Sequence, residues 1–82
     1  MKATHVGRQV IETKHLGPTN HRVARIKVSA DTGKSIIIPW DHDLTVADNH
    51  ACACLRFQSI MDWNDDRVGS QLADGRFVWV CK

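Results

Sequence analysis

From His21 to Ala30 the chain alternates. Ala24, Ile26, Val28 and Ala30 fall on one side of an extended strand, and Val23, Arg25, Lys27 and Ser29 on the other. Side chains alternate with a period of two only in extended backbone, so this run reads as a half-buried strand. Asp31-Thr32-Gly33 follows, with the glycine placed for the left-handed conformation that closes a three-residue hairpin loop. Ile36-Ile37-Ile38 supplies the partner strand. Three consecutive isoleucines predict burial on both faces and hence a central place in the sheet. Pro39 ends the strand because it has no N–H to give to a ladder. Ahead of the hairpin, Gly17-Pro18-Thr19-Asn20 reads as a turn, with φ fixed at the proline and Asn20 able to bond its own backbone. Whatever this chain folds into must be built around that hairpin.

The rest of the chain supplies the layers. Residues 1–7 carry no periodic signal. Arg8 to Leu16 predicts a first strand, and its polar content predicts an edge position. Trp40-Asp41-His42-Asp43 is a polar lead into a helix from Val46 to about Trp63, with Thr45 as N-cap and Asp48 completing a capping-box pattern. Ala47, His50, Ala53, Cys54, Phe57, Ile60 and Met61 form its apolar stripe, and Asn49, Cys52, Arg56, Ser59 and Asp62 the opposite face. Leu55 fits neither. Residues 64–75 read as a loop, with an extra turn near Gly69-Ser70-Gln71, and Arg76 to Cys81 as the last strand. The expectation is one α+β domain over residues 1–82, in the order βββαβ, with an antiparallel sheet and one helix packed on one face.

One helix covers one face of a sheet, yet the last strand is apolar on both. If Val78 and Val80 pack beneath the helix, Phe77 and Trp79 are left on the uncovered face, where Trp40 would join them. Monomers seldom leave such a patch bare, so these three residues are a candidate self-association or partner surface, with a homodimer as one form of it.

Composition excludes some partners. Net charge is only +2, too small to make nucleic acid or membrane the default. No apolar run approaches the length of a membrane span, and the first residues lack a signal-peptide core, so a cytoplasmic setting is expected. Three cysteines in a chain that is 43% hydrophobic and 24% charged fit reduced thiols in an ordinary globular domain.

Four constellations touch on chemistry. Gly33-Lys34-Ser35 resembles the end of a phosphate-binding loop, but that motif needs glycine where Val28 stands and a helix where Ile36-Ile37-Ile38-Pro39 follows. The hairpin reading stands. His50, Cys52, Cys54 and Cys81 could suggest zinc, but positions 50 and 54 share a helix face from which 52 points away, so no metal site is assigned. Asp41-His42-Asp43 could tune a histidine, but no nucleophile motif accompanies it, and no catalytic residue or cofactor is assigned. The fourth is a basic strip: Lys14, Arg22, Arg25 and Lys27, with Arg8 nearby. Arg25 and Lys27 share a strand face, and such a strip can follow phosphates. The plainer alternative is a solvated face of snorkelling side chains.

Lys14, Leu16, Gly17, Pro18, Thr19, Asn20, Arg22, Arg25, Ile26 and Lys27, followed by His50, Ala51 and Trp63, carry a resemblance. They resemble small uncharacterised proteins of bacteriophages, prophages and other mobile elements, which share a K-x-L-G-P-T-N turn before an R-x-x-R-I-K strand. The Cys52 to Cys54 segment departs from that pattern, where relatives are richer in alanine. The resemblance implies a genomic setting rather than a reaction. Small phage proteins of this size often bind and block host machinery, including CRISPR effectors. The expectation is therefore a non-enzymatic phage or prophage accessory protein, acting in the cytoplasm of a bacterial host cell by binding a host or phage macromolecule, with a protein complex as the expected partner, as an inhibitor of a host defence complex would. A small nucleic-acid-binding protein using the basic strand face is the alternative.

Overall fold

In the computed structural model, which describes residues 10–81, the organising hairpin joins strand β2 (Arg25–Ala30) to strand β3 (Ser35–Pro39). Gly33 takes the left-handed conformation the loop demands, at φ 94°, and its N–H donates to the carbonyl of Ala30 at 3.0 Å. The N–H of Ala30 in turn donates to the carbonyl of Lys34. The strand begins later than the alternation suggests, at Arg25 rather than His21. In the preceding turn Thr19 does the work expected of Asn20: its hydroxyl accepts from the N–H groups of His21 and Arg22.

The remaining elements are β1 (Ile11–Leu16), α1 (Val46–Met61), β4 (Arg67–Gln71) and β5 (Phe77–Cys81). All five strands form one antiparallel sheet in the order β3-β2-β1-β5-β4. The α+β class and the antiparallel sheet with a helix packed on it agree with the sequence reading, but the order is βββαββ rather than βββαβ. The stretch expected to be a loop contains β4. Its five residues include one large apolar side chain, Val68, too little for a strand signal. It forms by pairing with β5 through a hairpin in which the N–H of Gly75 donates to the carbonyl of Leu72 at 3.0 Å.

Centre and edge are also exchanged. β1, expected at an edge, is central, with β2 on one side and β5 on the other. β3, the isoleucine run, is an edge, and Ile37 is exposed. The reason lies in the helix. It packs over β1 and β2, so burial follows the strands beneath it and not the strands richest in isoleucine. Ile11, Ile26, Val28, Ala30, Ala53, Cys54 and Phe57 make one contiguous core between helix and sheet. The polar residues of β1 are accommodated because Glu12 and Lys14 face away from the helix while Ile11 and Thr13 face it.

Thr45 caps the helix as expected, its hydroxyl accepting from the N–H of Asp48 at 3.1 Å. Asp62 ends it in the left-handed region, at φ 58°, where a short polar side chain is tolerated. The stripe needs correction at three positions. Ala47 is exposed and Ile60 is 60% exposed, whereas Asn49 is buried. Asn49 ties the Asp41–Thr45 loop to the helix: its Oδ1 accepts from the N–H of Asp41, and its Nδ2 donates to the carbonyls of Asp41 and Thr45. Leu55, the misfit, is 65% exposed.

Beyond the helix, Arg67 anchors β4. Its Nε pairs with Asp65 at 2.8 Å, its Nη1 donates to the carbonyl of Trp79, and its guanidinium lies over the Trp63 ring at 5.2 Å. The Cys81 thiol donates to Asp65 at 3.1 Å. That bond, then the Arg67 charge, holds the Asp65 carboxyl below the ordinary carboxylate range against the opposing effect of burial. Among the described residues, no helix is long and apolar enough to cross a membrane.

Candidate functional site

Strand register fixes which side chains share a face. Ile11 pairs with Ala30 and with Trp79, and Thr13 with Val28 and with Phe77. Phe77 and Trp79 therefore lie on the helix side, together with Ile11 and Thr13. Both rings are half-buried, and Trp79 packs against the core, as does Trp40. The expected uncovered patch of Trp40, Phe77 and Trp79 is thus reversed. The long rings of β5 reach sideways to the helix edge, which valines are too short to do, so Val78 and Val80 take the other face. That face also carries Val68 and Ile37, both exposed. It holds no aromatic residue among those described.

The same open face carries the basic strip. Lys14 of β1 stands directly opposite Lys27 of β2, and both are exposed. Arg25 occupies the same face one pair further along, between Leu16 and Pro39. None of the three has an ion-pair partner among the described residues. Like charges directly opposite each other on neighbouring strands destabilise the pairing. Arg22 is exposed in the turn before β2 and is not part of the strip proper. Arg8 lies outside the described residues. The fourth cation beside this face, Arg76, is held by Glu12 at 2.8 Å and Asp74 at 2.7 Å.

On the helix side the sequence reading missed a polar chain. The Trp79 Nε1–H donates to the Thr13 hydroxyl at 3.0 Å, and Thr13 Oγ1 lies 2.7 Å from Nδ1 of His50. Thr13 and His50 are both 0% exposed. The hydroxyl oxygen accepts from the indole and lies within hydrogen-bond distance of Nδ1, whose role as donor or acceptor depends on the ring tautomer. Nε2 is buried and has no hydrogen-bond partner among the described residues. Burial first, and the neighbouring His15 second, push the His50 pKa below its ordinary value, while the Thr13 backbone works the other way. His50 stacks on Phe77 at 4.3 Å, and Trp40 meets both His50 and His15 edge-on. A hydroxyl beside an imidazole resembles a nucleophile and its base, but Thr13 is sealed in the core and already accepts the indole N–H. No sequence motif announces this pair, because 37 residues separate its members.

The other constellations resolve as structure. Asp41 bonds Asn49, and its Oδ1 accepts from the N–H of Asp43, so the Asp41-His42-Asp43 loop serves the helix start. Cys54 is buried and donates to Gln58 at 3.6 Å, and burial pushes its thiol pKa up to about 11. Cys52 is exposed. No cluster of three or more His, Cys, Asp or Glu suited to a metal occurs among the described residues.

No family model matches this chain, and no curated protein or solved structure shows significant similarity to it.

Proposed function

We propose that this chain is a non-enzymatic binding protein that docks an acidic surface of another protein onto the open face of its sheet. The observation that carries this reading is the Lys14–Lys27 pair: two like charges directly opposite each other, with Arg25 alongside and no ion-pair partner among the described residues. An acidic partner turns that repulsion into attraction, and electrostatic complementarity of this kind sets specificity and association rate. Ile37, Val68, Val78 and Val80 flank the strip with apolar area, as interface cores require. A setting in a bacteriophage or prophage, where such a protein would block a host complex in the bacterial cytoplasm, rests on the sequence resemblance alone.

Nucleic acid is the second reading, favoured by the same cations. Single-stranded nucleic acids are bound by stacking bases on aromatic rings, and the rings of this chain are on the other side of the sheet. The test is capture from a bacterial host lysate, with and without nuclease, by wild type and by the Arg25→Glu, Lys27→Glu double variant. A protein captured after nuclease treatment and lost in the double variant supports the proposal. Loss of all capture on nuclease treatment, or oligonucleotide binding whose salt dependence flattens in the double variant, overturns it in favour of nucleic acid. Capture that the double variant retains overturns the assignment of the face.

A further inference from the structure

Antiparallel pairing alternates between residues that exchange hydrogen bonds and residues that do not. At the two ends of the β2–β3 hairpin the bonded pairs are fixed: the N–H of Ala30 donates to the carbonyl of Lys34, and the N–H of Trp40 to the carbonyl of Ala24. Between those ends, alternation gives Ile36 and Ile38 to their register partners Val28 and Ile26. The backbone groups of Ser35, Ile37 and Pro39 therefore point out of the sheet. β3 is an edge, and among the described residues no strand pairs with its outer side.

Sheet edges are normally blunted by charge, bulges or a covering element. This one is bare. No side chain of β3 is charged, Ile37 is 51% exposed, and the helix lies over β1 and β2 instead. The opposite edge, β4, carries Arg67 at its start and Gly69 at its middle, which suit it less to a further ladder. Beside the end of β3, a cavity of about 670 Å³ is lined in part by Ile38, Trp40, Asp41, His42, Asp43 and Arg56. Asp41 and Asp43 have no ion-pair partner among the described residues, and Arg56 balances only one of them.

We infer that β3 is a self-pairing edge, which takes the β3 of a second copy of this chain, antiparallel and centred on Ile37. In that register Ile37 of each copy exchanges both backbone bonds with Ile37 of the other. The Ser35 N–H of each donates to the Pro39 carbonyl of the other, so the missing proline N–H removes only the return bond. Ile36 falls opposite Ile38 of the copy, and isoleucine meets isoleucine on both faces. Lys34 falls opposite Trp40 of the copy, at the mouth of the acidic cavity. A centre at Ile36 would keep as many backbone bonds, but it sets Ile37 against Ser35 and Lys34 against Ile38. Side chains thus select the Ile37 centre. A foreign strand could take the backbone bonds, but only the chain itself is shown to bring both the isoleucines and the lysine in register. Pairing along the edge leaves the open face accessible and sets two such faces side by side, so it stands apart from docking there.

The test is sedimentation equilibrium of the full chain at micromolar to millimolar concentration, the range suited to so short a joint, with amide hydrogen exchange followed by NMR at both extremes. A reversible dimer is expected. The Ser35 and Ile37 amides should exchange freely when dilute and be protected when concentrated, with Ile36 and Ile38 protected in both. Ile37→Glu places like charges opposite each other at the centre and should weaken the dimer by at least about tenfold. In the single chain that glutamate stands beside Lys27, so the fold is kept, and unchanged protection of Ile36 and Ile38 checks it. Lys34→Glu should also weaken the dimer, and Asp43→Lys added to it should restore it. A monomer at millimolar concentration, a dimer whose Ser35 and Ile37 amides stay unprotected, a dimer indifferent to Ile37→Glu, or a charge swap that restores nothing would each overturn the proposal.

Discussion

β1 and β5 are neighbours in the sheet and opposites in character. β1 reads Ile-Glu-Thr-Lys-His-Leu, and Ile11 and Thr13 are wholly buried. β5 reads Phe-Val-Trp-Val-Cys, and none of its residues is fully buried. The less apolar strand is therefore the core strand. The helix packs on β1 and β2, while β5 is joined to β1 through only three residue pairs, against six between β1 and β2. Burial in a one-helix sheet is set by where the helix lies. Strand hydrophobicity tells what a strand could bury, and the covering element decides what it does bury.

The largest expected effect tests the covered half. Phe57, 1% exposed, is the largest side chain sealed between helix and sheet. Phe57→Ala should cost about 3–5 kcal/mol, combining lost transfer energy with a cavity. Denaturant titration measures it directly. A loss below about 1 kcal/mol would mean that the helix face does not carry the core.

Next comes the polar residue that lets β1 be central. Thr13→Val keeps the shape but removes the hydroxyl, leaving His50 Nδ1 buried without its partner. The expected cost is about 1–3 kcal/mol, the desolvation penalty of one stranded group; the Trp79 N–H, at a half-buried ring, can find water. A neutral or stabilising result would show that the Thr13–His50 bond does not form in solution.

The same substitution logic applied to the β4–β5 half should give less. A Cβ built on Gly69 would come within 2.5 Å of the Trp79 ring, so Gly69→Ala must displace it. Overpacking of this kind costs about 1–3 kcal/mol in a closed core. Trp79 is half-buried at the helix edge, so the ring can shift, though at the expense of its bond to Thr13; the expected cost is about 1–2 kcal/mol, below that of Phe57→Ala, with increased Trp79 solvent exposure by fluorescence. A cost like that of Phe57→Ala would erase the distinction between the two halves.

What could be read from the sequence divides along the same line. The β2–β3 hairpin, the Thr45 cap and Phe57 at the helix–sheet interface are local or strongly periodic, and the residues state them directly. Strand order is not local. Nothing in Ile36-Ile37-Ile38 says that the helix will lie over β1 and β2, so its richness in isoleucine was a poor guide to position. β4 has one large apolar side chain and exists through its partner strand. For the site, the adjacency of Lys14 and Lys27 follows from alternation plus pairing. The His50 chain depends on a contact between distant segments, and it was approachable only as a helix-face histidine needing some hydrogen bond.

The smallest effect is a pH dependence confined to the covered half. The folded-state pKa of His50 is lowered, first by burial and then by His15. In the unfolded chain the ring takes a proton near its ordinary value of about 6.5. As pH falls below that value the unfolded state gains a proton that the folded state resists, so stability falls with pH. The contribution is complete above the unfolded value and is progressively lost as pH falls towards the lower folded one. Asp65, also depressed, follows the same sign but acts below the carboxylate range, so the two windows separate. Denaturation midpoints at pH 7.5 and 5.5 should therefore differ in wild type, with the lower midpoint at the lower pH, and the gap should shrink in a folded His50→Gln variant. Equal midpoints in the wild type would show that the imidazole accepts its proton in the folded state as readily as in the unfolded one, and that the region around β1 is wetter than its burial implies.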